Sequence, residues 1–72
     1  MKQYRYAAVK NKTSKNGAYG LLITEKKNGE KHMILLLPNV TQEKKLARSL
    51  AKLFTKEQLD PIHVNDVLED ML

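Results

Sequence analysis

The sequence predicts an α+β fold: a three-stranded antiparallel sheet followed by two helices packed on one face. Three observations support this prediction. Three apolar stretches of strand length come first, Asn28-Gly29 separates the second from the third, and two stretches with helical spacing follow Pro38. Asn-Gly favours the positive φ angles of a type I′ turn, which suits a two-residue β-hairpin. With 72 residues, the chain forms one small domain, 1–72.

The first strand is predicted at residues 3–9. Tyr4, Tyr6 and Ala8 alternate with the residues between them and therefore share one side of the strand. A polar loop over residues 11–17 follows, since Asn, Lys, Thr, Ser and Gly cluster there.

The next two strands are predicted at residues 19–26 and 31–37, joined by the Asn28-Gly29 turn. Both faces of this hairpin are apolar, whereas an antiparallel sheet usually keeps one face polar. Two helices cover one face only, so we expect the other face to meet a second copy of the chain or a protein partner. A two-residue turn pairs Leu21 with Leu36, Leu22 with Leu35, Ile23 with Ile34, Thr24 with Met33, Glu25 with His32 and Lys26 with Lys31. The predicted partner-binding face consists of Leu22, Met33, Leu35 and Leu37. The opposite face is the alternative and consists of Leu21, Ile23, Ile34 and Leu36.

The first helix is predicted to begin after Pro38, which ends the sheet, and to run to about Phe54. Asn39 or Thr41 would cap it, and Glu43 in its first turn suits the helix dipole. Its apolar face is predicted at Leu46, Leu50, Leu53 and Phe54, which recur at helical spacing. Five cations lie opposite and form a candidate polyanion-binding face: Lys44, Lys45, Arg48, Lys52 and Lys56.

The second helix follows two further signals. Thr55 to Gln58 has the form of a capping box and predicts a short turn that begins at Thr55. Asp60-Pro61 predicts an N-cap followed by proline at the first helical position. The apolar stripe of this helix is predicted at Val64, Val67, Leu68 and Met71.

Charge is segregated along the chain, whose formal net charge is +5. All 13 Lys and Arg lie before residue 57, and the acids beyond it include Asp66, Glu69 and Asp70 of the second helix. A basic body favours polyanions or acidic partners, and the acidic helix is an alternative, intramolecular neighbour for the basic face. A solvated lysine face without any partner is the other interpretation.

Tyr4 and Tyr6 beside Arg5 are a further candidate for nucleic-acid contact, because tyrosines on a sheet can stack on bases. Packing at the rim of the core is the more common role for such tyrosines. No aromatic residue is interleaved with the five cations on their face of the helix, so base stacking is not expected there. Four of the five are Lys, which does not provide sequence-specific readout.

The sequence predicts no enzyme. Ser14 and Ser49 lack the surroundings of a catalytic nucleophile, and no phosphate-binding loop or dinucleotide fingerprint occurs. His32 is expected to pair with Glu25, and His63 to be a polar residue at a helix start. Without Cys the chain has no disulfide and no familiar zinc site, and we expect no metal or small-molecule cofactor.

Two stretches carry a family resemblance: Gly17-Ala18-Tyr19-Gly20-Leu21 before the hairpin, and residues 58–70, which read QLDPIHVNDVLED. They resemble a family of short Gram-positive bacterial proteins known only as a domain of unknown function. The resemblance implies strands followed by two helices and a bacterial, cytosolic origin. It implies no activity and no site residue. The chain departs from the family at Leu37-Pro38-Asn39, and its first helix is richer in Lys.

The expected function is that of a small non-enzymatic protein-interaction module, as a homodimer or a regulatory subunit, acting through the sheet face. The alternative is a nucleic-acid-binding protein that uses the basic helix face. No apolar stretch is long enough for a signal peptide or a membrane span, so we expect a cytoplasmic protein with no membrane partner.

Overall fold

The computed structural model describes residues 2–13, 15 and 17–71. Three strands come first, namely β1 (Lys2–Lys10), β2 (Tyr19–Lys27) and β3 (Glu30–Thr41). Helix α1 (Lys44–Lys56), a 3-10 turn (Pro61–His63) and helix α2 (Val64–Met71) follow. The sheet is antiparallel with strand order β1-β2-β3. The predicted α+β fold, three strands followed by two helices, is confirmed.

Strand β1 pairs with β2 without interruption, from Lys2 opposite Lys27 to Lys10 opposite Tyr19. Tyr6 is buried, and Tyr4 and Ala8 pack against the core. The predicted inward side of the first strand is therefore confirmed.

The C-terminal end of α1 closes the free edge of β1. The backbone N–H of Tyr6 donates to Thr55 Oγ1 (2.9 Å), and the Thr55 hydroxyl donates to the Tyr6 carbonyl (3.3 Å). Gln58 does the same for Tyr4, because its Oε1 accepts from the Tyr4 N–H (2.8 Å) and its Nε2 donates to the Tyr4 carbonyl (2.9 Å). Two side chains thus replace a neighbouring strand along part of an edge that would otherwise invite pairing with another chain.

The turn between β2 and β3 has the predicted form. Asn28 has φ 54° and Gly29 has φ 84°, both in the left-handed region that a type I′ turn requires. The three predicted pairs nearest the turn are confirmed: Lys26 with Lys31, Glu25 with His32 and Thr24 with Met33.

Beyond Thr24 the register shifts by one residue, so the remaining predicted pairs are wrong. The structure instead pairs Ile23 with Leu35, Leu22 with Leu36 and Leu21 with Leu37. The extra residue on β3 is a β-bulge, and such a shift moves the residues beyond it to the other face. Leu35 and Leu37 therefore pack against the core, whereas Ile34 and Leu36 are exposed.

A second irregularity lies at Gly20, where β3 makes a larger excursion. A Cβ atom at this position would overlap the Leu37 carbonyl oxygen and lie 2.9 Å from that of Pro38. Only glycine permits this close approach of two backbones. Strand β3 continues through Pro38 to Thr41, so the prediction that Pro38 ends the sheet is wrong. Because β3 is an edge strand, the missing N–H of proline costs no ladder hydrogen bond.

Helix α1 begins later than predicted. Its N-cap residue is Glu43, whose side chain makes no capping hydrogen bond, and its first helical residue is Lys44. Asn39 and Thr41 do not cap the helix because they belong to β3. The Thr41 hydroxyl oxygen does accept from the Glu43 N–H (3.2 Å), which stabilises the short connection.

The core lies between α1, α2 and the inner face of the sheet. Leu50 and Phe54 are buried as predicted, whereas Leu53 is 42% exposed. Ala47 and Ala51 take the remaining buried positions of α1, and their small side chains allow the helix to lie close to the sheet. The core cluster consists of Tyr6, Leu21, Ile23, Leu50, Ala51, Phe54, Val64 and Leu68.

In the connection between the helices, the predicted N-cap at Asp60 is confirmed and the predicted turn that begins at Thr55 is wrong. Thr55 starts no turn, because it lies within α1, and Gln58 follows the helix in the left-handed region with φ 51°. Gln58 Nε2 also donates to the Thr55 carbonyl (2.7 Å). Asp60 is the predicted N-cap, since its Oδ1 accepts from the Ile62 N–H (3.1 Å), and Pro61 takes the first position of the 3-10 turn.

Candidate interaction surfaces

The face of the sheet turned away from the helices carries an apolar patch. Leu21 and Ile23 are fully buried, so Leu22 between them points to the opposite face, where Leu36 lies across from it. Exposure reaches 68% for Met33, 40% for Ile34 and 49% for Leu36. We call these four residues the outer patch: Leu22, Met33, Ile34 and Leu36.

The structure divides the predicted partner-binding face. Leu22 and Met33 lie in the outer patch, as predicted. Leu35 and Leu37 are half-buried and pack against the core, so they do not belong to the outer patch. Ile34 and Leu36, which the predicted pairing places on the opposite face, lie in the outer patch instead. The bulge in β3 is the cause of both differences.

Cations border the outer patch near the hairpin turn. Arg5 lies between the inward Tyr4 and Tyr6 and therefore points to the outer face. Lys26 and Lys31 lie opposite each other, on the side of Thr24 and Met33. Arg5, Lys26 and Lys31 line one concavity of about 360 Å³. The outer face thus combines an apolar area with a positive border.

The five cations predicted as a polyanion-binding face are all exposed on α1. The structure separates them into two groups. Arg48, Lys52 and Lys56 line a groove between α1 and β1, and Lys44 and Lys45 at the start of the helix do not.

That groove, which we call the β1–α1 groove, has a volume of about 580 Å³. Its floor includes Ala7, Ala8 and Ala51, whose small side chains leave the space open. Arg5 lines it together with the three cations of α1. Its side chain leaves β1 on the outer side of the sheet, but β1 is an edge strand, so Arg5 borders both the outer patch and the groove. The helix spacing alone did not predict the contribution of Arg5, because Arg5 is distant in sequence and reaches the groove only through the packing of α1 on β1.

The acidic helix α2 does not neutralise these cations. Within the described residues, the one ion pair is that of Lys2 with Glu25 at 3.8 Å, and His32 Nε2 contacts a Glu30 carboxylate oxygen at 3.4 Å. The alternative of an intramolecular contact between the acids of α2 and the basic face is therefore not supported. His32 does lie opposite Glu25 in the sheet, but its ring contacts the carboxylate of Glu30.

Tyr6 is a core residue and not a surface for stacking bases. Its hydroxyl donates to the Leu59 carbonyl (2.6 Å), and its ring meets that of Phe54 edge-on at 5.3 Å. Burial raises the pKa of Tyr6 to about 12, with further contributions from the neighbouring Asp60 carboxylate and Tyr4. The structure therefore favours core packing over base stacking for Tyr6.

The side chains considered for catalysis or metal binding do not come together. Ser49 is exposed on α1, His63 is exposed in the 3-10 turn, and Ser14 lies outside the described residues. Within the part of the chain that the structure describes, no three His, Cys, Asp or Glu side chains are grouped so that they could hold a metal ion. No described helix has the length and apolar character needed to cross a membrane.

Comparison with known proteins adds a family. No curated protein and no solved structure matches the chain. A family model does match, over residues 1–72, and its description is a family of unknown function. The expected membership in such a family is therefore confirmed, whereas the Gram-positive origin and the family motifs stay predictions. The chain belongs to the family of unknown function DUF6514.

Proposed function

We propose that the protein is a small non-enzymatic interaction module that binds another protein chain through the outer face of its sheet. The partner proposed first is a second copy of the same chain. The observation behind this proposal is the outer patch, where Met33, Ile34 and Leu36 of β3 lie exposed beside the half-buried Leu22 of β2, on the face that α1 and α2 leave open.

The size of the protein supports association. A domain of about 60 residues buries only roughly 60% of the surface that its unfolded chain exposes, so its stability is marginal. Met33, Ile34 and Leu36 are 40–68% exposed in the single chain. Covering each of them contributes about 1 kcal/mol, since full burial of such a side chain contributes about 1.5–3 kcal/mol. A partner on this face therefore adds the apolar burial that the chain lacks.

A two-fold arrangement suits a second copy. Most soluble homo-oligomers are symmetric dimers in which the same patch meets itself. Two sheets can pack face to face at about 10 Å with their strands nearly aligned. If the strands of the two copies run in opposite directions, the outer patches meet at the centre. The cations near each hairpin turn, Arg5, Lys26 and Lys31, then lie at opposite ends and do not repel each other.

Analytical ultracentrifugation across a concentration series tests this proposal. The wild-type protein is expected to associate between micromolar and millimolar concentration. Leu36→Glu and Met33→Glu are expected to stay monomeric, because each places a charge in the patch. Both variants should remain folded, since the two side chains are largely exposed in the single chain.

Ile62→Glu is the matched control, because Ile62 is 76% exposed in the 3-10 turn, outside the sheet. It should associate as the wild type does. A wild-type protein that stays monomeric over the whole range contradicts the homodimer. Equal loss of association in Ile62→Glu and Leu36→Glu would show that the outer patch is not the interface.

A second candidate function, nucleic-acid binding, is favoured by the exposed cations of α1. In the described part of the chain, none of Lys44, Lys45, Arg48, Lys52 and Lys56 forms an ion pair. Unpaired cations can displace the counterions of a nucleic acid, which makes affinity fall steeply with salt. Retention on random-sequence DNA across a salt series tests this function, and retention that does not change with salt would exclude it.

A further inference from the structure

Four positive residues from two distant parts of the sequence line the β1–α1 groove: Arg48, Lys52 and Lys56 of α1, and Arg5 of the edge strand β1. All four are exposed, and no acidic residue is among the described residues that line the groove. Like charges around one concave surface repel each other, and an anion placed between them removes that repulsion. The arrangement therefore favours an anionic ligand over an empty groove.

The remaining lining of the groove offers an anion few competing polar groups. The Thr55 hydroxyl is already bonded to the backbone of Tyr6 on β1 (2.9 Å). Ala7, Ala8 and Ala51 contribute only methyl groups and leave room for a chain to lie along α1. A ligand in this groove would accordingly be held by the guanidinium and ammonium groups at its rim.

The spacing of the cations suits a ligand with repeated charges. Arg48, Lys52 and Lys56 follow one another at intervals of four residues, and each step advances about 6 Å along the helix axis. Arg5 lies on the β1 side of the same groove. A chain of phosphates laid along α1 would meet the three helical cations in turn and Arg5 from the other side.

We propose that the β1–α1 groove binds the phosphate backbone of single-stranded nucleic acid without selecting its sequence. This proposal rests on the nucleic-acid binding proposed above and adds the location of the site and the form of the ligand. A single strand is favoured over a duplex because the cations border a concave groove between β1 and α1, and a groove lined by cations that follows one backbone is typical of single-strand binding. Sequence selection is not expected, because Tyr6 is buried and is the one aromatic residue among the described residues that line the groove.

Fluorescence anisotropy with a labelled oligothymidylate, measured over a salt series, tests this proposal. Four phosphate contacts predict a log–log slope of about −2.8, because each contact to a single strand contributes about −0.7. Arg5→Gln and Lys52→Gln should each reduce the slope by about 0.7 and weaken binding several-fold at low salt. Circular dichroism should show the wild-type fold for both, since both residues are exposed.

Lys44→Gln and Lys45→Gln are the matched controls, because they remove the same charge from the same helix outside the groove. They should leave the slope unchanged. If all four variants weaken binding equally, or if only Lys44 and Lys45 matter, the groove is not the site, although nucleic-acid binding itself stands. If the oligothymidylate does not bind even at low salt, both the groove and the second candidate function are excluded.

A duplex of random sequence is the second probe. The proposal predicts weaker binding of the duplex than of the oligothymidylate at the same salt concentration. Tighter duplex binding that still depends on Arg5 and Lys52 would keep the groove and overturn the assignment of a single-stranded ligand. Protein association through the outer patch is tested separately with Met33 and Leu36, which lie outside the groove.

Discussion

Replacing Gln58 with glycine or with alanine should have clearly different effects on stability. Gln58 holds the edge of β1 through two hydrogen bonds to Tyr4, at 2.8 and 2.9 Å, and makes a third to the Thr55 carbonyl at 2.7 Å. The backbone of Gln58 has φ 51°, in the left-handed region that residues other than glycine and asparagine rarely adopt.

The magnitudes follow from these two terms. Each exposed hydrogen bond contributes about 0.5–1 kcal/mol, so Gln58→Ala should lower the free energy of unfolding by about 1.5–3 kcal/mol. Gln58→Gly loses the same three bonds but removes a backbone strain of about 1 kcal/mol. The glycine variant should therefore be about 1 kcal/mol more stable than the alanine variant, which corresponds to about 4–8 °C in melting temperature.

Urea and thermal denaturation, followed by circular dichroism, measure this difference. Gln42→Ala serves as the control, because Gln42 is an exposed glutamine in the connection before α1. If the alanine variant is as stable as the glycine variant, the inference that the positive φ angle strains the backbone at residue 58 is refuted. Wild-type stability in both variants would refute the contribution of the hydrogen bonds. Both variants should also scatter more light at high concentration, because the edge of β1 is partly opened.

Three further predictions concern the sheet. Gly20→Ala should lower the free energy of unfolding by about 1–3 kcal/mol or more, because its methyl group would overlap the Leu37 carbonyl, and thermal denaturation measures this loss. Tyr6 has a pKa of about 12 in the fold and about 10 when unfolded, so its contribution is complete below pH 10 and is lost as the pH rises to 12. Urea denaturation at alkaline pH should show a smaller loss in Tyr6→Phe than in the wild type, and an equal loss would contradict this reasoning. Leu35→Glu should unfold the protein whereas Leu36→Glu should not, because only Leu35 packs against the core; two folded variants by circular dichroism would contradict the observed register.

The parts of the fold that depend on local chemistry were predictable from the sequence. Asn28-Gly29 determined the turn because the two residues tolerate positive φ angles, whatever lies around them. Asp60-Pro61 determined the start of the last helical segment because the cap is a contact between neighbours in the chain.

The register of β3 was not predictable in the same way. Its five consecutive apolar residues, 33–37, leave no polar position to show which side chains point inward. The bulge follows from the packing of Leu35 and Leu37 on the core, which is a tertiary effect. Gly20 within the β2 pattern and Pro38 within β3 were the available signals of irregular pairing, since glycine in a strand often marks a bulge or a close backbone approach.

For the candidate surfaces, too, features that depend on local sequence were predictable and features that depend on tertiary packing were not. The cations of α1 followed from helical periodicity, because residues four apart share a face. The participation of Arg5 in the β1–α1 groove depends on how α1 packs against β1, and the spacing of residues along the chain contains no such information. The hydrogen bonds from Thr55 and Gln58 to the edge of β1 were not predicted either. They join residues that are distant in sequence, and the same two residues also match the pattern of a capping box.

The central claim is that the outer patch is uncovered in the single chain and covered by a partner chain. Methyl NMR with a soluble paramagnetic agent tests it directly, with the Met33 methyl as the probe and the exposed Ile62 methyls as the internal reference. We predict strong relaxation of both residues at micromolar concentration, and loss of the effect at Met33 alone at millimolar concentration. If Met33 is protected from the agent at every concentration, the claim that the outer patch is exposed in the single chain is contradicted. If Met33 and Ile62 relax equally at every concentration, the claim that two chains associate through the outer patch is contradicted.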